Sequence, residues 1–421
     1  MCGLFGAIGK GPIPRRVVTS LVRDASRRGQ DACGVCYLRA GRFLVERSAG
    51  SANLLMARNP QRFEDFVIGH SRLMTNGFTD NQPVVRNGVV VIHNGIVVNA
   101  DDLWKSEDSE RTLEVDTEII AAIASRNLDG EVFDATEVGK QVLDLCEGTV
   151  SAAIAFPSKG KMCLISNNGS LFIGSRGLQT YFASEMAALV RIKADNARQI
   201  YGVEVVDIPV SNDEIQVAER RETYRDLLPS LGRLAEEEEL LESSNPDLRR
   251  CTKCILPSTM PFIEFDIGGV CNYCAEYEPR NSPRSRREFL ELLQPYRRPQ
   301  APECIIPFSG GRDSSFALHK MTQEFGIRPV TYTYDWGMVT DLARRNISRM
   351  CAQLGVENIL VAANVSRKRR NIARNLEAWL RAPHLGMLSI LTAGDKHFFR
   401  HVESVKRRTG IALNVWAVNP L

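Results

Sequence analysis

The chain has 421 residues, 44% of them hydrophobic and 24% charged, with a formal net charge of +3. That length allows two or three domains of roughly 100–200 residues, and so small a net charge gives no global argument for nucleic acid or a membrane. No apolar run approaches the roughly 18 residues of a membrane helix, and the opening is not that of a signal peptide; eleven cysteines in such a chain point to thiols and metal in a reducing cytoplasm.

Residues 1–217 read as short strands alternating with helices. Strand-like runs lie at 2–8, 34–38, 67–70, 88–93, 151–156 and 161–166, and helix-like segments at 15–28 and 117–125. Many antiparallel strands with a few covering helices predict a layered α+β sandwich. Residues 218–249 turn strongly charged, with an acidic run at 236–239, and predict a solvated helical connection. A compact cysteine module occupies 250–278, and a Pro/Arg/Ser-rich joint follows at 279–303. From 304 to 421 the order is strand (304–308), glycine loop, helix (314–324), strand (329–334), helix (342–354) and strand (359–363). That βαβ order predicts a parallel sheet with helices on its faces.

The first chemical signal is Cys2. Once Met1 is removed, Cys2 carries a thiol and a free α-amine, whose ordinary pKa near 8 suits it to act as base for its own side chain. A nucleophile with a built-in base fits acyl transfer. Four further segments suit the same reaction: Arg28-Gly29-Gln30-Asp31, Gly69-His70-Ser71-Arg72, His93-Asn94-Gly95-Ile96 and Glu114-Val115-Asp116-Thr117-Glu118. Hydrolysing the amide of free glutamine through a thioester needs two donors for the developing oxyanion, a cation for the α-carboxylate and an anion for the α-ammonium. Arg72 offers a bidentate fork and Asp116 a carboxylate. Asn94 and Gly95, in a turn after a strand, offer a side-chain amide and an unhindered backbone N–H. Alone, Asn-Gly is more often a plain hairpin turn, and a lone Arg or Asp a surface charge. Order and spacing are what distinguish this set.

On those motifs residues 1–200 resemble the class II, N-terminal nucleophile glutamine amidotransferase domain, as it occurs in glucosamine-6-phosphate synthases. The resemblance implies an αββα sandwich with Cys2 as nucleophile and its amine as base. It implies Arg72 on the glutamine carboxylate, Asp116 on the ammonium, and Asn94 with Gly95 as oxyanion hole. The stretch Phe182-Ala183-Ser184-Glu185 resembles a late strand-to-helix segment of the same domain. Two positions depart from the pattern: Leu73 stands where that family has Trp after the Arg, which bears on how the glutamine loop closes, and Asp31 follows Arg-Gly-Gln.

Cys251-x-x-Cys254, sixteen residues, then Cys271-x-x-Cys274 is a four-thiolate spacing that fits tetrahedral Zn²⁺, with Gly268-Gly269 supplying the tight turn. Neither pair opens a helix in a thioredoxin-like unit, so structural zinc is expected over redox chemistry.

Phe308-Ser309-Gly310-Gly311-Arg312-Asp313-Ser314-Ser315 follows a strand and opens a helix. Adjacent glycines admit phosphate to the backbone N–H groups and the helix N-terminus. Ser309, Ser314 and Ser315 add hydroxyls, and Asp313 can reach Mg²⁺. With no Gly-Lys-Ser/Thr this is not a Walker loop. It resembles the Ser-Gly-Gly-x-Asp-Ser loop of the ATP pyrophosphatase (PP-loop) superfamily, whose members adenylate an acceptor oxygen and let a nitrogen or sulfur nucleophile displace AMP. Tyr334-Asp335-Trp336-Gly337 and Ala393-Gly394-Asp395-Lys396-His397 are further polar clusters that position alone places near such a site, while His319 and His384 read as structural or surface residues.

A glutaminase joined to an ATP-activating domain describes an ATP-dependent, glutamine-hydrolysing amidotransferase. Asparagine synthetase pairs the same two domains but lacks a four-cysteine knuckle. The knuckle and loop of residues 250–421 resemble the N-acetyl sugar amidotransferase family, in which an acetamido group of a surface sugar becomes an acetamidino group. The expected partners are therefore glutamine, ATP and a small acceptor, foremost a nucleotide-linked N-acetyl sugar. A tRNA-modifying PP-loop enzyme stays open as a third class, with Cys304 or Cys351 as sulfur carrier. An ATP domain of about 120 residues is short, which leaves room for a second copy, a partner subunit or a further segment to complete it.

Overall fold

The computed structural model describes residues 2–49, 52, 62–73, 80–107, 109–126, 128, 132–219, 248–278, 285–299, 301–336, 339–363, 365–382 and 395–417. Residues 1–227 with 296–419 form one compact unit, and 228–295 with the last two residues form another.

In the first unit, an eight-stranded sheet runs in the order Asp195–Gln199, Phe172–Arg176, Gln179–Ala183, Gly3–Gly9, Phe66–Arg72, Ala32–Arg39, Arg42–Ala49 and Gln216–Glu219. A second sheet runs Gly202–Asp207, Lys161–Ser166, Gly148–Phe156, Val89–Val97 and Val84–Arg86. Strand alternation decides which layer each side chain enters. Phe5 and Ala7 face the helices Arg15–Ala25 and Met186–Arg191, packing on Val18, Leu21 and Leu189. Leu4 and Ile8 point the other way and meet Ile92, Ala153 and Leu164 of the second sheet. On that sheet's far face Val91, Ile154 and Phe156 pack against the helices Thr117–Ser125 and Ala135–Leu145. This is the αββα layering expected of the first half.

The third sheet is wholly parallel, in the order Asn358–Ala362, Pro329–Asp335, Cys304–Pro307, Leu413–Asn414. Ile305, Val330, Tyr332 and Ile359 bury one face against Val402 and Val405 of the helix Asp395–Thr409. Three of its strands match the expected βαβ order. The fourth has only two residues, too short for any periodicity to reveal it.

Other boundaries differ in instructive ways. The strand expected at 88–93 runs on to Val97, so Asn94 and Gly95 lie within it, opposite Ser151 and Val150, and not in a turn. The ladder continues because glycine leaves space where Thr149 approaches, as described below. The first helix ends at Ala25 rather than 28. Residues Gln216–Glu219 are an edge strand paired with Arg42–Ala49, not the start of a charged helix. The rest of that expected connection, 220–247, lies outside the described residues. The helix after the glycine loop starts at Arg312, and its continuation Lys320–Glu324 is wound more widely.

In the second unit, the cysteine module is held by single bridges from Arg250 to Pro257 and from Phe265 to Cys271, with a short helix Asn272–Ala275. The helix Arg286–Leu293 opens with a capping box between Ser285 and Glu288. Among the described residues no helix is long and apolar enough to cross a membrane.

Candidate active site

The strand Gly3–Gly9 is central in its sheet and sits beside Phe66–Arg72, so Cys2 emerges next to Arg72. Cys2 is buried, and its Sγ lies 3.9 Å from the Leu73 carbonyl. Burial pushes the thiol up; the charges of the amino terminus and Arg72 pull it back, and Asp116 raises it. Cys2, Arg72 and Asp116 therefore share one electrostatic site. The early Arg-Gly-Gln-Asp segment is tied to the same strand end: Ser71 Oγ donates to the Gly29 carbonyl at 2.7 Å and Asp31 N–H to the Arg72 carbonyl at 3.0 Å. Arg72 Nη1 donates to the Asp80 carbonyl.

Asn94 and Gly95 come from the second sheet. A Cβ on Gly95 would lie 1.8 Å from the Thr149 carbonyl oxygen, with the backbone at φ +156°, so no other residue fits without moving the neighbouring strand. Asn94 is 1% exposed, yet neither its Oδ1 nor its Nδ2 has a hydrogen-bond partner among the described residues. A buried amide left unpaired is costly unless a ligand completes it. Asp116 stands at the head of the helix Thr117–Ser125 and is pinned by Val97 N–H, which donates to its Oδ2 at 2.9 Å. His93 Nδ1 lies 3.9 Å from its other oxygen. His70 and His93 are both buried and pushed below their ordinary pKa, chiefly by desolvation, so both are neutral at pH 7.

Gln82, Ser348 and Glu357 gave no signal in the sequence, whereas Leu73, Arg28 and Glu185 stood in its motifs without the contacts that follow. Gln82 bridges the site, its Oε1 accepting from His93 N–H and its Nε2 donating to Thr117 Oγ1, both at 2.7 Å. Leu73 packs on Leu360, next to Ala362, so an aliphatic side chain here fits a contact with the parallel sheet. Ser348, in the middle of the helix Asp341–Gln353, accepts from Thr149 N–H at 2.7 Å and donates to the Ile96 carbonyl at 3.0 Å. It thereby grips the strand pair that carries Asn94 and Gly95. Arg28, 1% exposed, donates to the carbonyls of Ser184 and Asn358 and lies 3.7 Å from Glu185, which also pairs with Arg408. Glu357 is buried beside this network, and burial raises its carboxyl to about 8.

The glycine loop follows the strand Cys304–Pro307 at the carboxyl edge of the parallel sheet. Gly310 takes φ +75°, and a Cβ there would meet the Ala343 carbonyl at 2.8 Å and Ile347 at 3.0 Å, so the loop rests on the same helix that holds Ser348. Ser309 and Ser314 hydroxyls lie 3.2 Å apart. Gly311 begins the helix Arg312–His319 with no side-chain cap, which leaves its first N–H groups for a ligand. Gly311 and Asp313 are exposed and Ser315 half-buried. A cavity of about 260 Å³ opens here, lined by Phe308, Ser309, Ser314, Tyr334 and Trp336. Asp335 does not face that cavity, because Arg344 Nε holds it at 3.0 Å. Gly337, Ala393 and Gly394 lie outside the described residues, as do the side chains of Asp395, Lys396 and His397. His319 is exposed, and His384 is not described.

In the second unit, the Sγ atoms of Cys251, Cys254, Cys271 and Cys274 all lie within 4.8 Å of one another. The closest approaches, 3.5 and 3.9 Å, are far beyond a disulfide bond and near the roughly 3.8 Å edge of a tetrahedron with 2.3 Å Zn–S bonds. Desolvation raises the Cys251 thiol, but N–H donors from Cys254, Cys271 and Lys253 outweigh it and bring it down to about 6. The donor set fits a four-thiolate metal ion.

Residues 70–191 match a family described as a glutamine amidotransferase domain. The chain is 27% identical over 212 residues to glutamine–fructose-6-phosphate aminotransferase [isomerizing] of Fusobacterium nucleatum, covering 46% of this chain and 33% of that one. It is 30% identical over 200 residues to the Rhizobium meliloti protein of the same name, 45% and 32% of the two chains. The chain thus spans about a third of the length of the curated relatives it matches. A solved glutamine phosphoribosylpyrophosphate amidotransferase from B. subtilis aligns over 99% of this chain and 91% of its own, at 16% identity and a TM-score of 0.42, too slight a likeness to bear on the argument. From the family match and these relatives, the chain carries a class II glutamine amidotransferase domain.

Proposed function

We propose that the chain is an ATP-dependent, glutamine-hydrolysing amidotransferase whose two sites lie against one shared helix. That sharing is the observation that carries the reading: Asp341–Gln353 supports the glycine loop through Ala343 and Ile347 and the Asn94–Gly95 strand through Ser348. In the glutaminase half, Arg72 and Asp116 would hold the α-carboxylate and α-ammonium of glutamine. The Cys2 thiolate attacks the side-chain amide carbon, and its proton passes through the α-amine to the leaving ammonia. The Asn94 amide and Gly95 N–H stabilise the oxyanion, which accounts for the unpaired Asn94. Water then releases glutamate from the thioester.

In the second half, Ser309, Gly310, Gly311, Ser314 and Ser315 would cradle the phosphates of ATP, with Asp313 toward Mg²⁺. The acceptor carbonyl oxygen takes the adenylyl group with loss of pyrophosphate, and ammonia from the first site displaces AMP. The favoured acceptor is an acetamido sugar. Zn²⁺ on Cys251, Cys254, Cys271 and Cys274 would serve structure, since four thiolates leave no open position. The sulfur-carrier alternative is disfavoured because burial raises Cys304 to about 12 and Cys351 to about 11, far from a usable thiolate.

The deciding assay is pyrophosphate release from ATP and glutamine with nucleotide-linked N-acetyl sugars, aspartate and tRNA as acceptors. Release with one sugar and an amidine in the product is expected. Release with aspartate makes the enzyme an asparagine synthetase. Silence throughout, while glutamate still forms, sinks the ATP half of the reading.

A further inference from the structure

Both ring nitrogens of His70, both amide atoms of Asn94, Asn168 Nδ2 and Ser170 Oγ are buried without a hydrogen-bond partner among the described residues. All four side chains belong to residues at most 1% exposed. Strand register gathers them. His70 stands opposite Leu4, which packs on Ile92 and Ala153 of the second sheet. Asn94 lies two residues on from Ile92 and stands opposite Ser151, itself two residues before Ala153. Alternation therefore turns His70, Asn94 and Ser151 into the gap between the sheets. From Ser151 the row continues away from Asn94. The Ser151 hydroxyl lies 2.8 Å from Ser166 Oγ and donates to Asn168 Oδ1 at 3.2 Å, and Ser170 N–H donates to the same oxygen at 3.2 Å. The row thus ends in the loop that joins Lys161–Ser166 to Phe172–Arg176.

Desolvation, and after it the charges of Arg72, His93 and the amino terminus, hold His70 well below its ordinary pKa, so the ring is a neutral neighbour of Cys2. A neutral imidazole offers one N–H and one lone pair, and leaving both unmatched in a dry interior is costly. Glutamine does not complete them. Its carboxylate and ammonium go to Arg72 and Asp116, and its oxyanion takes the Asn94 N–H, which leaves Asn94 Oδ1 an acceptor without a donor. A cation is a poor candidate, because the unmatched groups are neutral and Arg72 and the amino terminus repel it. Water both donates and accepts, and a buried water typically makes about three hydrogen bonds to groups of this kind.

We infer that this row holds buried water, and that the molecule between His70 and Asn94 Oδ1 is the one that hydrolyses the Cys2 thioester. Its oxygen attacks the thioester carbon while one of its protons passes to the α-amine. The C–S bond then breaks, the amine returns that proton to the Cys2 sulfur, and glutamate leaves with the new oxygen in its carboxyl group. His70 is a positioning residue here: a ring that resists protonation orients the water without taking its proton. Asn168 and Ser170 hold the water that replaces each molecule spent. The inference rests on the proposed role of Cys2 as nucleophile and goes beyond it in naming what delivers the water.

The test gives the full chain glutamine with and without hydroxylamine, which takes the glutamyl group from the same thioester but arrives through the glutamine site rather than along the row. His70→Leu should slow glutamate formation roughly tenfold or more, while γ-glutamyl hydroxamate still forms at the parent's rate. Without hydroxylamine, the glutamyl adduct should build up on Cys2 in intact-protein mass spectra. His70→Gln, which keeps a donor and an acceptor, should fall between parent and His70→Leu. Should His70→Leu unfold the chain, His70→Gln and Asn168→Ala must still shift the split toward hydroxamate. A folded His70→Leu with unchanged hydrolysis, an unshifted split in the milder variants, or hydrolysis and hydroxamate formation falling together would overturn the inference and leave the nucleophile in place. Hydroxamate formation that survives Cys2→Ala would overturn the nucleophile, and the inference with it.

Discussion

Cys2, Arg72, Asn94 and Asp116 are each less than a tenth exposed, whereas in the loop 309–315 only Ser314 is buried. The first site lies between two face-packed sheets, where strand alternation aims its residues into a space already closed to water. Donors held there are worth most to an oxyanion, because nothing must reorganise when charge develops. The glycine loop stands at the open edge of a parallel sheet and offers an uncapped helix end and the hydroxyls of Ser309, Ser314 and Ser315. On the proposed reading it is completed only when the phosphates of ATP arrive, so that one site would be organised by the fold and the other by its substrate.

The sharpest way to break that contrast is Cys2→Ala. Glutamate formation should fall by on the order of 10⁴ to 10⁶, while transfer from free ammonium salts persists. Glutamine hydrolysis that survives would remove Cys2 from its role. Asn94→Ala should cost kcat about 10²–10³ with KM little changed, since its amide acts on the transition state. An equal rise in KM would instead mean that it binds the ground state. Asp313→Ala should abolish pyrophosphate release and leave glutaminase kinetics as they are; loss of both would show that the open site also organises the closed one.

The same contrast explains what the sequence revealed. Cys2, Arg72, Asn94, Gly95 and Asp116 stand in short motifs because each strand end delivers a fixed set of groups, and the four thiols announce themselves by local spacing. Even so, the motif misled about its setting: Asn94-Gly95 reads as a turn, and only the Thr149 carbonyl pressed against Gly95 shows why glycine sits inside a strand. Ser348 gave no sign at all. A serine mid-helix is ordinary, and its partner Thr149 is 199 residues away. The fourth parallel strand is two residues long and leaves no local pattern.

Ser348→Ala sharpens the contrast where the halves meet. It leaves Thr149 N–H and the Ile96 carbonyl without their buried partner, at about 1–3 kcal/mol of stability. Because those groups flank Gly95, glutaminase kcat should drop several-fold, and Ser348→Thr should recover part of it if the hydroxyl is what matters. A stability loss with glutaminase kinetics untouched would make the contact a mere fastening between the sheets.

The smallest effect belongs to Glu357, in the Arg28–Glu185–Arg408 network. Its carboxyl titrates at about 8 in the folded chain, raised by burial and by Glu185 against the pull of Arg28 and Arg408; unfolded, it titrates near 4.3. Between those values the folded chain keeps a proton that the unfolded chain has released. Its contribution is therefore whole below about pH 4 and declines as pH rises toward 8, by at most on the order of 1 kcal/mol per pH unit. Glu357→Gln, neutral at every pH, should flatten that part of the melting-temperature profile between pH 5 and 8. An unchanged profile would mean that Arg28 keeps the carboxylate ionised, and that the halves are joined by a charged network rather than by a protonated acid.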